Sequence, residues 1–180
     1  MKKYVIFLFC LFSITLASQA QVFNTAGTLG KGSFSAGVEP GVYVNGSSRF
    51  SLFLHGGAGI ANNVDFGLKL GILEPNIYFG GDVEFAFGKL FSLSAGAHTF
   101  GDFAVDATGL FTFDLGSAVD LYTGLDMDVV FTDNETIVPL WIPIGIEVPI
   151  KSSILFLFET EINVTDNAAH YIGGGVNFLF

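Results

Sequence analysis

The chain has 180 residues and a formal net charge of −10, with seven basic side chains against 17 acidic ones. This length indicates one domain, and the acidity excludes nucleic acid as a partner because phosphate backbones are bound by clustered positive charge. Hydrophobic residues form 51% of the chain, yet after the N-terminal segment no apolar run approaches the roughly 18 residues of a transmembrane helix.

Residues 1–20 have the pattern of a secretory signal peptide. Two lysines precede the apolar run Tyr4–Leu16, which is too short to span a bilayer comfortably. Ser18 and Ala20 then place small residues where a signal peptidase requires them. We therefore expect export and cleavage before Gln21.

The mature chain is expected to be a single barrel domain, residues 21–180, without a periplasmic domain. The one cysteine, Cys10, lies inside the predicted signal peptide. Its loss leaves no thiol, which excludes disulfides, a catalytic cysteine and thiolate metal sites. We predict no cofactor and assign no catalytic or metal-binding residue from the sequence.

Ten segments of about nine to thirteen residues alternate with turn residues, and this is the length that a tilted strand needs to cross a membrane. Pairs such as Asn45-Gly46 and Gly101-Asp102 separate them. An even number of strands places both ends of the barrel chain on one side, and eight strands is the alternative count. The predicted strands are Ser33–Val44, Arg49–Ile60, Val64–Ile72, Asn76–Phe87, Leu90–Phe100, Phe103–Asp114, Ala118–Phe131, Val138–Pro149, Ser153–Val164 and Ala168–Phe180.

Side-chain size assigns the two faces of these strands. One parity carries bulky Phe, Leu and Ile, and the other carries Gly, Ser, Ala and carboxylates. A soluble barrel would turn its apolar face inward, but small residues suit a narrow lumen and bulky ones suit a lipid-facing belt. Because backbone polar groups in lipid must be paired within the protein, we predict an all-β, antiparallel, up-and-down transmembrane β-barrel.

The last predicted strand has one apolar face and ends on an aromatic residue. Its apolar parity consists of Ile172, Val176, Phe178 and Phe180. This strand resembles the closing strand of bacterial outer-membrane β-barrels. The resemblance implies a Gram-negative outer-membrane location, contact with outer-membrane lipid, and recognition of the terminal strand by the barrel insertion machinery.

Carboxylates crowd the parity that is predicted to face the lumen, and Arg49 and Lys69 are their basic partners. One hypothesis is a narrow, porin-like, cation-selective channel or a lumen that binds cations or small ligands; the other is a solvated polar plug. We expect Asp106, Asp126, Asp128, Glu159 and Glu161 in the extracellular half. The periplasmic half is expected to hold Asp65, Asp82, Glu84, Asp114, Asp120 and Glu147. The lumenal acidic candidates are Asp82, Glu84, Asp106, Asp126, Asp128, Glu147, Glu159 and Glu161.

Three prolines, Pro139, Pro143 and Pro149, share one parity of the eighth predicted strand. Their missing N–H donors face the same neighbour, so we predict a weakened seam toward the seventh strand. The alternative is a distortion confined to the strand ends. In this one respect the chain looks similar to the outer-membrane lipid A palmitoyltransferase, which admits acyl chains through proline-marked gaps.

The predicted function is structural or interactive, with the exterior of the barrel docking onto envelope components or a larger envelope protein complex. Short loops and a crowded interior favour it, whereas the surplus of carboxylates favours the channel or binding lumen. A lipid-modifying barrel enzyme is the remote alternative, with His98 beside Asp106 or His170 beside Thr165 as candidates. We also expect space at the closure of the barrel, where Gly173 and Gly175 face the glycines of the first strand.

Overall fold

The computed structural model describes residues 27–73, 76–116, 119–165 and 168–180. The predicted signal peptide, residues 1–20, lies outside these ranges. No helix within the described ranges is long and apolar enough to cross a membrane. The elements that the structure assigns are strands.

Ten long strands form the wall, and one two-residue strand extends it. All neighbours in the wall are antiparallel, and each predicted strand corresponds to one long strand with bounds that agree within two residues. The strands are β1 (Phe34–Asn45), β2 (Ser47–Ala61), β3 (Val64–Leu73), β4 (Asn76–Phe87), β5 (Phe91–Phe100), β6 (Asp102–Asp114), β7 (Asp120–Phe131), β8 (Thr136–Ile137), β9 (Leu140–Lys151), β10 (Ile154–Asn163) and β11 (His170–Leu179).

The sheet closes on itself because β1 pairs with β11 as well as with β2. Consecutive long strands are neighbours throughout, and β9 follows β7 because the short β8 pairs only with the end of β7. The prediction of an all-antiparallel, ten-stranded, up-and-down barrel is confirmed.

Exposure follows the predicted parity. Phe50 and Ile77 are 66% and 69% exposed, whereas Ser51 and Glu84 are 0% and 1% exposed. Large apolar side chains therefore cover the outside and polar ones are buried inside, which is the arrangement of a barrel solvated by lipid.

The two ends of the barrel differ in their connections. At the terminal end, where β1 begins and β11 ends, the connections span two to five residues. At the opposite end, the loop end, β1 turns into β2 through Gly46 alone, whose φ of 68° favours glycine. The longer connections 132–139 and 164–169 also lie there. Outer-membrane barrels carry their longer connections outside the cell, so the loop end corresponds to the predicted extracellular side.

Candidate functional site

The described residues enclose a cavity toward each end of the lumen. The loop-end cavity has a volume of about 370 Å³ and the terminal-end cavity about 410 Å³, and no described residue lines both. We call the loop-end cavity the acidic cup. Its charged lining residues are Arg49, Lys69, Asp82, His98, Asp102, Asp106, Asp126, Asp128 and Glu161.

Four buried side chains and the half-buried Lys69 lie between the cavities and form a central plug. We define this plug as Glu39, Phe53, His55, Lys69 and Tyr171. Glu39 is 1% exposed, and one of its carboxylate oxygens lies 2.6 Å from His55 Nε2 and 3.9 Å from Lys69 Nζ. The Tyr171 hydroxyl donates to the other oxygen. The ammonium group of Lys69 also lies 5.0 Å from the centroid of the Phe53 ring. This plug forms the floor of the acidic cup.

The space expected at the barrel closure is filled at one glycine pair, Gly41 and Gly173, whereas the terminal-end cavity reaches the closure at Ser35 and Asn177. Gly41 pairs with Gly173 across the β1–β11 seam, but a Cβ built on either glycine would collide with the Tyr171 ring. The ring lies against both glycines and fills the room that they leave. Gly37 faces Asn177, so the glycines of the two strands do not all meet.

One histidine and two aspartates converge on the wall of the acidic cup. Asp106 and Asp128 are direct cross-strand neighbours on β6 and β7. His98 Nδ1 lies 3.1 Å from Asp106 Oδ2, and His98 Nε2 lies 3.5 Å from Asp128 Oδ2. The His98 ring stacks on Tyr78 with centroids 5.0 Å apart. We call His98, Asp106 and Asp128 the His98 cluster.

The His98 cluster has the spacing of a metal-binding group. One ligand atom from each of its three residues lies within 4.8 Å of the others. Imidazole nitrogen with carboxylate oxygen suits divalent first-row ions such as Zn²⁺. Sequence reasoning assigned no metal ligands, because the cluster depends on the register that sets Asp106 opposite Asp128.

Two further carboxylates flank the cluster. Asp126 Oδ1 accepts a 2.5 Å hydrogen bond from the Thr108 hydroxyl, which fixes its side chain. Asp82 and Asp106 lie on either side of Gly96, since a Cβ there would be 2.8 Å from Asp82 Cβ and 2.7 Å from Asp106 Oδ1. Only glycine leaves these carboxylates room to approach.

The acidic candidates separate into groups along the barrel axis. Asp106, Asp126, Asp128 and Glu161 line the acidic cup, whereas Glu84 and Glu147 line the terminal-end cavity with Asp65. Glu159 is buried and lines neither.

Asp82 was expected in the periplasmic half, and this expectation was wrong, because it lines the acidic cup. The strands of a barrel tilt relative to its axis. A residue near the middle of β4 can therefore face the cup. Asp82 can do so because its partner on β5, Gly96, has no side chain to block it.

The two basic candidates reach to different depths along the barrel axis. Arg49 and Lys69 both line the acidic cup, but Lys69 also reaches Glu39 in the central plug. The cup therefore combines six carboxylates with Arg49, Lys69 and His98, and its field favours cations.

The prolines lie beside an interrupted ladder. Pairing between β7 and β9 includes Thr123 with Ile144 and resumes at Asp126 with Trp141, while Pro143 and Pro149 keep their places in the β9–β10 register. The Thr123 hydroxyl donates to the Pro143 carbonyl at 2.9 Å, so a side chain supplies a hydrogen bond where the ladder is interrupted. Pro139 precedes β9 and lines the acidic cup.

The histidines proposed for catalysis have other partners. Both ring nitrogens of His98 face carboxylates, and the nearby Thr108 hydroxyl donates to Asp126. His170 Nδ1 accepts from the Asn163 backbone N–H at 3.1 Å. The Thr165 hydroxyl donates to the Asn163 side chain. His98 therefore pairs with charged groups, and His170 and Thr165 form hydrogen bonds that cap a loop.

The closing strand points its apolar parity outward. Ile172, Phe178 and Phe180 are exposed, and Val176 is half-buried. Phe180 donates its backbone N–H to the Phe34 carbonyl at 2.9 Å and accepts from the Phe34 N–H at 3.1 Å. The terminal aromatic residue thus completes the β1–β11 seam.

No family model matches the chain, and no curated protein matches it. The translocator domain of the autotransporter NalP from Neisseria meningitidis is similar over 84% of this chain and 90% of that chain, with a TM-score of 0.53 and 9% identity. Neisserial surface protein A matches 82% of this chain and 96% of that chain, with a TM-score of 0.44 and 14% identity. The likeness to the NalP domain concerns the fold. Together with the closed wall and the outward apolar face, it shows that the chain has the fold of a transmembrane β-barrel.

Proposed function

We propose that this protein resides in the Gram-negative outer membrane and holds cationic ligands in the acidic cup, without conducting them across the barrel. The observation that carries the proposal is the separation of the two cavities by the central plug. Outer-membrane lipid would surround the apolar belt, and the insertion machinery would read the closing strand.

Charge supports a cationic ligand. Six carboxylates line the cup, and only Arg49 and Lys69 among its lining residues carry a permanent positive charge. Like charges in a partly desolvated space favour the entry of counter-ions. The aromatic lining adds faces that attract organic cations, and it consists of Tyr43, Phe53, Tyr78, Phe100 and Trp141.

Packing supports a blind cup over a conduit. A conducting lumen needs a continuous polar path, whereas Phe53 and Tyr171 are 2% and 3% exposed within the central plug. Lys69 adds a positive charge at the floor, which opposes passage of a cation beyond the cup.

Binding and conductance together test the proposal. Spermidine, an organic trication, should bind the purified barrel in detergent. Asp126→Asn and Glu161→Gln should each raise its dissociation constant at least about threefold, which corresponds to a loss of roughly 0.7 kcal/mol of binding free energy. Glu135→Gln, on the exposed loop 132–139, is the matched charge control. In planar bilayers the same protein should give no steady conductance. Cation-selective conductance would favour the channel instead.

A structural or interaction role is the second candidate, favoured by the packed lumen and the mostly short connections. In this role the barrel exterior would dock onto an envelope protein complex. Co-purification from native membranes separates the two candidates, because a stable partner combined with the absence of spermidine binding would favour docking.

The contacts of His98 and His170 give no nucleophile–base pair among the described residues, so we infer a non-enzymatic barrel over a lipid-modifying enzyme.

A further inference from the structure

We propose that the His98 cluster binds one divalent transition-metal ion of the zinc type, through one ring nitrogen of His98 and one carboxylate oxygen each from Asp106 and Asp128. This inference rests on the proposed function, because it names the cation that the acidic cup holds. It goes beyond general electrostatic attraction, since it assigns a defined ligand set.

The ligand types and distances of the His98 cluster both favour a bound cation. Like charges directly opposite each other on neighbouring strands repel, and Asp106 and Asp128 occupy such a pair. A cation between them removes this repulsion. The ligand atoms of the cluster already lie within 4.8 Å of one another, so small side-chain rotations bring them to the roughly 2.0–2.2 Å bonds that Zn²⁺ forms with nitrogen and oxygen.

The polar surroundings of the His98 cluster also favour a bound cation. Asp82 Oδ1 is buried without a hydrogen-bond partner among the described residues, although its side chain lies next to Asp106 over Gly96. An uncompensated carboxylate oxygen is costly to bury. A metal ion, or a water bound to it, would supply the missing partner.

Neighbouring side chains hold the His98 cluster in place before any ion binds. Tyr78 stacks on His98 and fixes the plane of its ring, and the Thr108 hydroxyl fixes Asp126 beside the cluster. The side chains of His98, Asp106 and Asp128 remain 11%, 17% and 13% exposed, so an ion entering the cup can reach them. Metal sites depend on such supporting contacts around the ligands.

The competing arrangement uses a protonated His98 as the only cation between the aspartates. It requires both ring nitrogens to carry protons and donate, so that neither nitrogen can ligate zinc. The two arrangements differ in whether the protein takes up metal, and this difference can be measured directly.

The test is calorimetric titration of Zn²⁺ into the full barrel, folded in detergent and stripped with a chelator. We expect one zinc ion per barrel, and His98→Ala and Asp128→Asn should each weaken binding at least about tenfold. His170→Ala and Asp133→Asn, both at exposed loop-end positions, should bind zinc as the wild type does. Heat-dependent gel migration checks that every variant is folded.

Each outcome has a defined meaning. Equal zinc affinity in His98→Ala, Asp128→Asn and the wild type would overturn the proposal, and so would Ca²⁺ binding as tightly as Zn²⁺. Spermidine binding without zinc binding would overturn the metal site and leave the cationic cup in place, whereas the absence of both would remove both. If the variants do not fold, the visible absorption spectrum of the wild type with added Co²⁺ is the deciding measurement. Absence of the band of nitrogen-ligated cobalt would overturn the proposal.

Discussion

The Tyr171 hydroxyl donates a hydrogen bond to Glu39 across the seam where the last strand meets the first. The pair joins the wall to the interior, because the same ring covers Gly41 and Gly173 while its hydroxyl reaches the centre of the plug. Glu39 in turn holds His55. The pairing that closes the barrel therefore also places the Tyr171 side chain that fills its lumen.

Tyr171→Phe should destabilise the barrel while keeping the ring in place. The substitution leaves a buried carboxylate without one of its donors, and we expect the free energy of unfolding to fall by about 1–3 kcal/mol. Urea unfolding in lipid vesicles measures the change. Tyr43→Phe removes the same atom from the ring that packs against Tyr171 at 4.8 Å and should have a smaller effect. Equal effects of the two substitutions would contradict this role for Glu39.

Gly173→Ala should destabilise the seam through overpacking. Its added methyl group would collide with the Tyr171 ring, which has no room to move without breaking its bond to Glu39, and such overpacking costs about 1–3 kcal/mol. Gly109→Ala is the control, because a Cβ at Gly109 would meet its nearest neighbours at an ordinary 3.7 Å. The same unfolding measurement applies, and a neutral Gly173→Ala would show that the ring is not confined.

Removal of the plug should connect the two cavities. The double variant Phe53→Ala, Lys69→Ala deletes a buried aromatic ring of the floor and its positive charge together. We expect this variant to conduct cations in planar bilayers, because carboxylates line the cavities above and below. The conservative control Phe53→Leu, Lys69→Arg should stay closed. A silent double variant would mean that other side chains seal the lumen.

Thr123→Val should weaken the interrupted β7–β9 seam. It removes the donor that satisfies the Pro143 carbonyl, which we expect to cost about 1 kcal/mol and to speed hydrogen exchange of the β7 amides. Thr112→Val is a matched control on β6, because the buried Thr112 hydroxyl has no hydrogen-bond partner among the described residues. It should be neutral or stabilising, and exchange mass spectrometry compares the two.

Periodicity made most of the wall predictable. Strand lengths, strand number and the outward apolar face follow from alternation within each segment, and alternation is a local property. The convergence of Asp106 with Asp128 and His98 is not local, since it depends on register and strand tilt, which the alternation in one strand does not specify. The position of Asp82 was wrong for the same reason.

The contents of the lumen were harder to predict than its wall. Gly41 and Gly173 could be expected to face each other once closure was assumed, but glycines indicate only that room is left. Whether that room stays open depends on the reach and direction of neighbouring side chains. Here Tyr171, two residues before Gly173, turns back over the pair because Glu39 holds its hydroxyl.

The two backbone hydrogen bonds between Phe34 and Phe180 also bear on the order of assembly. A ring of strands can be sealed only by its last pair, and in this protein that pair joins the start of β1 to the residue after β11. Until β11 pairs with β1, the backbone groups of β1 that face β11 remain an unsatisfied edge, which in lipid is costly. A chain that lacks β11 would therefore remain an open sheet that needs another protein to cover its edge.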